Sequence, residues 1–329
     1  MKLDRIFRKM IEVGRKADWR DAATLDKQLA ERQAEYARLS GNARTYYDAE
    51  RLWNPFGDSR VCSGDPQREI RGMVVGINCS LAGLLYAERL REQGRPIDAF
   101  LAHHGIPPAG TAYDDISNTH FFVLRDYGVP EDTARRIVSE AIRGYYLRMV
   151  GEPTAFELNT DLALFSVHNP MDNLTGLRLS QVFDQEKPRT AGDVIDCILS
   201  VEEFQIAAKV GIPPMLAAGS LDAPAGEIYV DVLGGICLND AELTALLETK
   251  KVQTVVRLTY GNCIRICREH GVNCILFPHN AHDNLGINLI LDQVVAEEPI
   301  EVYPTDGFYR VPRTPLEDFT WPQKKRMRR

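Results

Sequence analysis

The amino-acid sequence predicts an α/β protein with two lobes, mostly parallel sheets and a helical N-terminal extension. Apolar strand-like runs alternate with amphipathic helical segments in two separate series along the chain. A strand, a helix and a second strand within about 30 residues form a βαβ unit, in which the two strands are parallel. The chain has 329 residues, and at about 150 residues per domain this length accommodates two lobes.

Residues 1–58 are predicted to form the N-terminal helical extension. Ile6, Met10 and Val13 recur at helical spacing, and leucines follow among alternating charges further along. Because this segment is polar, we expect it to pack across the surface of a larger body. Prolines and glycines at 55–66 then break the helical pattern.

The two lobes are predicted at residues 59–208 and 225–298. The first contains strands at 73–77, 99–102 and 162–167 and helices at 81–93 and 131–149. The second contains strands at 229–232, 252–258 and 273–277 and helices at 240–249 and 260–270. The segment 209–227 between them is rich in proline and glycine and shows no clear periodicity.

Residues 299–329 are predicted to form a proline-rich and basic C-terminal tail. Five prolines fall in 299–322, and five of the last six residues are Lys or Arg. The simplest interpretation of residues 324–329 is a frayed, solvated end. The alternative is an arm that contacts an anionic partner.

Composition and charge exclude several classes of protein. The chain carries 39 Lys and Arg against 46 Asp and Glu, a formal charge of −7, which disfavours nucleic acid as a main partner. No apolar run approaches the ~18 residues of a membrane helix, and the N-terminus has no signal-peptide core. We therefore expect a cytoplasmic protein without a membrane partner. The seven cysteines form no Cys-x-x-Cys pair, which excludes a zinc knuckle of that spacing.

Histidines mark the region where chemistry is expected. No glycine-rich phosphate-binding motif occurs in the sequence. Five of the seven histidines fall in three short clusters, each directly after a predicted strand: His103 with His104, His168 with Asp172, and His279 and His282 with Asp283. Ligands of open α/β sheets bind outside the carboxyl ends of the strands. The three clusters are therefore expected to meet in space.

The residue types in these clusters indicate a metal site. Imidazoles and carboxylates are ligands of zinc, iron, manganese and nickel. Neighbouring strand residues face opposite sides, so we expect His103 and His104 to offer one nitrogen to each of two ions. His279 and Asp283, four positions apart, share one face if a helix begins there.

Other histidines are assigned different roles. His168 and His282 are candidate proton carriers, or residues that orient a ligand. His120 and His270 are expected to be ordinary core or surface histidines.

The same residues resemble a known family. The motifs are the strand at 73–77, DAFLAHH at 98–104, SVHNPMD at 166–172 and HNAHDNLG at 279–286, with NPFGDSR at 54–60 and GDP at 64–66. They are similar to the Nif-three-like family of dinuclear-metal-centre proteins, also known as domain of unknown function 34 and described as homologues of GTP cyclohydrolase I type 2. The resemblance covers most of residues 54–295.

The resemblance implies a two-lobed α/β chain that assembles into a toroidal hexamer, with two divalent metal ions in the cleft between the lobes. The family's metal ligands correspond to His103, His104, Asp172, His279 and Asp283. The last of these replaces a glutamate of the family by an aspartate, which is one methylene shorter. Gly105 and Asn78 stand where the family usually has a proline and an aspartate.

Two functions follow as expectations. The first is a metal-dependent hydrolase that acts on a small, nucleotide-like substrate of the GTP cyclohydrolase type, with two ions that are zinc, iron, manganese or nickel. The alternative is a non-catalytic metal-binding or regulatory scaffold. Redox chemistry at two irons is disfavoured, because the glutamate-rich helices of ferritin-like bundles are missing from the sequence.

Overall fold

Two mostly parallel β-sheets organise the chain, which confirms the predicted α/β class. The structure is a computed structural model that describes residues 1–105, 109, 117–145 and 160–327. The strands are β1 Arg60–Ser63, β2 Gly72–Gly76, β3 Ile97–Ala102, β4 Ala163–Ser166, β5 Met215–Ala218, β6 Ile228–Asp231, β7 Thr254–Arg257, β8 Asn273–Leu276 and β9 Glu301–Thr305.

The helices surround these sheets. They are α1 Leu3–Ala17, α2 Ala22–Arg38, α3 Gly41–Thr45, α4 Leu81–Glu92, α5 Ser117–Asp126, α6 Glu131–Tyr145, α7 Asn169–Glu186, α8 Ala191–Leu199, α9 Glu202–Lys209, α10 Asp240–Glu248, α11 Cys263–Glu269, α12 His279–Val295 and α13 Pro322–Met327, with a 3₁₀ helix at Ala49–Leu52. The predicted helix at 131–149 extends at 146–149 beyond the described residues.

The two lobes share one topology. The first sheet has the order β1-β4-β3-β2-β9, and the second has the order β5-β8-β7-β6. In each lobe three parallel strands follow one another, and a short strand pairs antiparallel with the last of them, β1 with β4 and β5 with β8. The second lobe therefore repeats the strand order of the first. Strand β9 adds to the first sheet by pairing parallel with β2.

The parallel strands form because their residues are apolar on both faces. Strands β2, β3 and β4 are buried along their whole lengths, as are β6, β7 and β8. A parallel sheet covered by helices on both sides needs such continuous apolar runs. This burial leaves the carboxyl ends of the strands as the places where polar side chains collect.

Helices α7 and α12 lie at the centre of the molecule, and each begins directly after a parallel strand. Both are buried on nearly every side, as expected of helices that lack a polar face. Their backbones approach closely at Gly286, where an added Cβ would clash with the carbonyl oxygen of Met171. This contact joins the first turn of α7 to the third turn of α12 and packs the two helices, one from each lobe, side by side.

Both α1 and Trp321 are part of the core, which differs from the expectation that the N-terminal segment packs across the surface of a larger body. Residues Leu3, Ile6 and Met10 of α1 are fully buried, and Gly14 lies against Pro170. At the other end, Trp321 is buried and its indole N–H donates to the carbonyl of Ala17 at 3.0 Å. The apolar face of α1 and this tryptophan account for the difference.

None of the helices in the described ranges combines the length and the apolar character that a membrane crossing requires.

Candidate metal centre

The fold brings the three histidine clusters together between the lobes. His103 and His104 follow β3, His168 lies between β4 and α7, and His279 is the first residue of α12. These positions are the carboxyl ends of parallel strands, where the connecting loops meet. All seven candidate residues of the sequence analysis lie in this one cluster: His103, His104, His168, Asp172, His279, His282 and Asp283.

A short motif occurs once in each lobe at the equivalent place. Residues 168–174 read HNPMDNL and residues 279–285 read HNAHDNL, so both contain His-Asn-x-x-Asp-Asn-Leu. Each copy begins where a parallel strand gives way to a helix. The histidine and the aspartate, four positions apart, therefore share one face of a first helical turn in each lobe.

The two aspartates lie at the centre of the cluster. The Asp172 carboxylate is 3.2 Å from Nε2 of His103, 3.6 Å from Nε2 of His168 and 3.6 Å from Nε2 of His282. The Asp283 carboxylate is 3.5 Å from Nε2 of His103, 3.7 Å from Nε2 of His104 and 3.5 Å from Nε2 of His279. His103 thus lies between two carboxylates, one from each lobe.

Several buried polar atoms of the cluster make no hydrogen bond within the described part of the chain. They are Nε2 of His103, Nε2 of His282, Oδ1 of Asp172 and Oδ2 of Asp283. Buried polar groups of native proteins almost always have a partner, and a bound ion is one of the standard explanations when no protein partner is found. Three overlapping groups have ligand atoms close enough to hold an ion: His103, His104 and His168; His104, His279 and Asp283; His103, Asp172 and Asp283. The donor set therefore fits divalent metal ions.

The pKa values of the cluster are shifted by the close packing of imidazoles and carboxylates. Burial alone lowers the pKa of His103, but the carboxylates of Asp172 and Asp283 outweigh burial and raise it to about 10. Burial raises the pKa of Asp172, but the imidazoles of His282, His168 and His103 lower it to about 2. Burial and the neighbouring His103 lower the pKa of His104 to about 3, so its ring is neutral, as a metal ligand must be.

The rings of His103 and His104 reach the same cluster although the two residues are adjacent in sequence. Strand β3 ends at Ala102, so neither histidine follows the alternation of a strand. The two ring centroids are 5.0 Å apart, and both rings reach the same cluster. Both side chains can therefore contribute to one shared site rather than to opposite sides of the sheet.

Neighbouring polar groups fix the orientation of two of these histidines. Nδ1 of His168 is 2.8 Å from Oδ2 of Asp58, and this carboxylate also accepts from the backbone N–H of Asn169. Nδ1 of His104 is 2.8 Å from the amide oxygen of Asn78. Metal-ligating histidines characteristically use their second nitrogen in this way. Both contacts direct Nε2 toward the carboxylates, which favours a ligand role for His168.

Asp58 is a site residue that the sequence analysis did not identify. It lies 110 positions before His168 and precedes β1, so no strand end marks it. The only signal was its place in the segment NPFGDSR that resembles the family.

A loop of the second lobe closes one side of the cluster. At Gly235, where φ is +87°, an added Cβ would lie 2.8 Å from Oδ2 of Asp58 and 3.0 Å from Nδ1 of His168. Only glycine accommodates both this conformation and this approach. The loop at 233–236 therefore packs directly on the Asp58–His168 pair.

His120 holds the same loop from its other side. Its Nε2 is 3.0 Å from the carbonyl of Leu233 and 2.9 Å from that of Ile236, and its Nδ1 is 3.1 Å from Oε2 of Glu242. Because acceptors face both nitrogens, both must carry protons. Burial alone lowers the pKa of His120, but the Glu242 carboxylate raises it to about 9. His120 lies outside the metal cluster, and so does His270, whose Nδ1 faces the carbonyl of Ile266.

Comparison with solved structures identifies the fold. A NIF3 superfamily protein from Sphaerobacter thermophilus matches with a TM-score of 0.65 and 24% identity, over 86% of this chain and 98% of that chain. Reduced HcgD from Methanocaldococcus jannaschii matches with a TM-score of 0.44 and 14% identity, over 84% of this chain and 97% of that chain. A Bacillus cereus protein related to NIF3 matches with a TM-score of 0.36 and 10% identity, over 77% and 93%.

Neither a protein-family model nor a curated protein matches the chain. The Sphaerobacter thermophilus structure nevertheless shows that the chain has the fold of the NIF3 superfamily. The resemblance inferred from the sequence motifs is thereby confirmed for the fold.

Proposed function

We propose that this chain, with its NIF3-like fold, binds two divalent metal ions at the cluster between its lobes and uses them in hydrolysis. The proposed ligands are His103, His104, His168, Asp172, His279 and Asp283. The observation that carries the proposal is the group of buried nitrogen and oxygen atoms without hydrogen bonds at the point where the two His-Asn-x-x-Asp motifs meet. His168, first assigned as a candidate proton carrier, joins the ligands because Asp58 orients its ring.

Divalent ions held here would supply Lewis acidity, which activates water and polarises a carbonyl or phosphoryl group. The chain's own residues provide the rest. Asp172 and Asp283 each contact three or more histidines and are placed to balance the charge of two ions. His282 donates from Nδ1 to Asp283 at 2.8 Å, which leaves Nε2, 3.6 Å from Asp172, to accept or deliver a proton. His282 therefore remains the candidate proton carrier.

The hydrolase is favoured over the alternative, a non-catalytic metal-binding or regulatory scaffold. A cavity of about 250 Å³ adjoins the cluster and is lined by His104, His168 and His279 on one side. The side chain of His279 is 55% exposed. A structural metal site is closed by its ligands, whereas a catalytic site keeps an open position. We propose a small, nucleotide-like molecule as the substrate class, in keeping with the family resemblance.

Elemental analysis tests the metal site. The protein is loaded separately with zinc, manganese, iron and nickel, desalted, and measured as metal per chain. We expect about two ions for the wild type and a loss of both in the double variant His103→Ala/His104→Ala. His270→Ala is the matched control because His270 lies outside the cluster. Metal content that is equal in all three proteins would contradict the proposal.

A hydrolysis screen separates the two candidate functions. The loaded protein is assayed on nucleotides, phosphoesters and cyclic amides, with His282→Gln as the variant that keeps the proposed ligands. We expect turnover that falls about 10²–10⁴-fold in this variant. If a fully loaded wild type turns over nothing and its metals have no exchangeable water, the scaffold function is the correct one.

We also propose that the chain assembles into a homo-oligomer, with the hexamer of the resemblance as the expected form. Exposed large apolar side chains support self-association: Leu81, Leu85 and Tyr86 on α4, and Val210, Ile212, Met215 and Leu221 around β5. Exposed apolar side chains that are grouped along one segment are typical of interaction sites. Light scattering after size-exclusion chromatography measures the mass. A monomer at micromolar concentration would contradict the proposal, and Leu85→Asp is expected to reduce the mass of the particle.

A further inference from the structure

We propose that the cavity beside the metal cluster receives an uncharged, ring-sized part of the substrate, packed on an aliphatic wall that the second lobe provides. This inference rests on the proposed function, because the same substrate must reach the metals. It adds the chemistry of the group that the protein recognises.

The wall opposite the histidines is largely apolar. It includes Val232, Ile236 and Leu258, together with Tyr260. Ile236, Leu258 and Tyr260 are partly exposed, whereas Val232 is buried. A ligand that covers this apolar surface gains binding free energy in proportion to the area removed from water. The wall therefore suits a hydrocarbon or heteroaromatic surface.

The described residues of this wall offer no cationic side chain that could bind an anionic group. Among the described residues that line the cavity, there is no Lys or Arg. The nearest arginine in sequence, Arg257, is fully buried. Its Nη1 lies 2.8 Å from the Asp231 carboxylate, and its Nη2 donates to the carbonyl of Leu238 at 3.0 Å. Its charge is thus engaged inside the second lobe, and a phosphate on the wall would meet no Lys or Arg of the described lining residues.

The wall is also held in place before any ligand arrives. The loop that carries Ile236 is fixed at Leu233 and Ile236 by the doubly protonated His120, and Gly234 donates to the side-chain oxygen of Asn173 at 3.2 Å. A preformed wall loses little conformational freedom when a ligand binds, and this increases affinity.

The size of the cavity limits what it can enclose. Cavities that bury whole drug-sized ligands have volumes of about 300–1,000 Å³, and this one has about 250 Å³. A single ring fits within it, whereas the remainder of a nucleotide would extend past the exposed His279 into solvent. The recognised group is therefore one uncharged ring or its equivalent.

The test uses two metal-chelating probes that differ only in the group facing the wall. Acetohydroxamate carries a methyl group and benzohydroxamate carries a phenyl ring, while the chelating atoms are the same. Their binding to the zinc-loaded full-length protein is measured by isothermal titration calorimetry. We expect benzohydroxamate to bind roughly tenfold more tightly than acetohydroxamate.

Variants of the wall show whether this preference comes from the cavity. Ile236→Ala and Leu258→Ala are each expected to reduce the phenyl-over-methyl ratio by about threefold, at unchanged zinc content. Leu316→Ala is the matched control, since Leu316, like Leu258, is a partly buried leucine that packs against the core, but it does not line the cavity. Circular dichroism and zinc stoichiometry verify that each variant is folded and loaded.

The outcomes distinguish this inference from the proposed function. Equal binding of the two probes, or a phenyl preference that neither wall variant reduces, overturns the inference and leaves the metal site intact. Zinc uptake without binding of either probe means closed coordination, which overturns both the hydrolase and this inference. No zinc uptake overturns the metal site itself.

Discussion

The two copies of the His-Asn-x-x-Asp motif occupy equivalent places in the two lobes, yet their surroundings differ. In the first lobe the His168 side chain is 7% exposed, and its Nδ1 is 2.8 Å from Asp58. In the second lobe the His279 side chain is 55% exposed. The first histidine is thus buried and oriented, whereas the second lies at the mouth of the cavity.

This difference indicates that His168 and His279 have different roles within one centre. A ligand whose second nitrogen is held by a carboxylate is oriented before the metal binds. A ligand on the open side can move as solvent or substrate exchanges. We therefore expect changes near His168 to affect metal retention, and changes at His279 to affect access more than retention.

The largest effect is expected for Asp283→Ala. This carboxylate contacts His103, His104, His279 and His282, so its removal affects both halves of the centre. We expect the metal content to fall from about two ions per chain to near zero, as measured by elemental analysis. Retention of one ion would show that the halves are independent, and the account of a shared centre would then be wrong.

His120→Ala tests the contact between α5 and the loop at 233–236. Removing this histidine leaves the Glu242 carboxylate buried beside the loop, and breaking a buried ion pair in this way costs about 3–5 kcal/mol of unfolding free energy. Urea unfolding of the zinc-loaded protein measures the change. A loss below about 1 kcal/mol would show that the pair does not hold the loop.

The same pair makes stability depend on pH. The folded pKa of His120, about 9, is raised above its ordinary value of 6.5, so its contribution is fully present below pH 6.5 and is lost as pH rises through 9. The negative groups that act on it are Glu242 and Asp231. The difference in unfolding free energy between wild type and His120→Ala should therefore shrink between pH 6.5 and pH 10. A constant difference would contradict a charged His120.

Gly235→Ala tests the close approach of the second lobe to the oriented half. The backbone strain at positive φ costs about 1–2 kcal/mol, and the contact with Asp58 and His168 adds about 1–3 kcal/mol. Gly94→Ala is the matched control, because φ is +81° there and no atom lies within 4 Å of the added Cβ. If urea unfolding shows equal destabilisation of the two variants, the loop does not pack closely against Asp58 and His168.

The smallest effects distinguish the two histidines directly. Asp58→Asn removes the carboxylate behind His168 and is expected to weaken metal binding by about 10–100-fold. His279→Gln removes the exposed ligand and is expected to weaken it less, while speeding the exchange of metal with a chelator. Competition titrations with a chromophoric chelator give both values. A greater loss for His279→Gln than for Asp58→Asn would reverse the proposed division.

Much of the fold could be predicted from the sequence, because the parallel strands are continuous apolar runs. The strands β2, β3, β4, β6, β7 and β8 were all expected for this reason. The strands β1, β5 and β9 were not, since each lies at a sheet edge and is only partly buried, and β9 contains Pro304. The helices at 169–209 were also not predicted. Helix α7 is buried on nearly every side, so its sequence shows no amphipathic period.

The site was predictable to the extent that topology determines it. Histidines after parallel strands converge whatever their separation in sequence, so the three clusters could be joined without a structure. Asp58 and Gly235 could not be found in this way, because they lie in loops whose positions depend on packing between the lobes. His120 was expected to be an ordinary histidine, and no local pattern indicates that it faces Glu242 and two carbonyls.

Anomalous diffraction from crystals of the zinc-loaded protein, recorded on both sides of the zinc absorption edge, tests the central claim most directly. The account predicts two anomalous peaks per chain between Asp172 and Asp283, about 3.5–4 Å apart, with His168 and His279 contacting different peaks. A single peak, or none at this cluster in crystals of loaded protein, would contradict a dinuclear centre built from the two motifs.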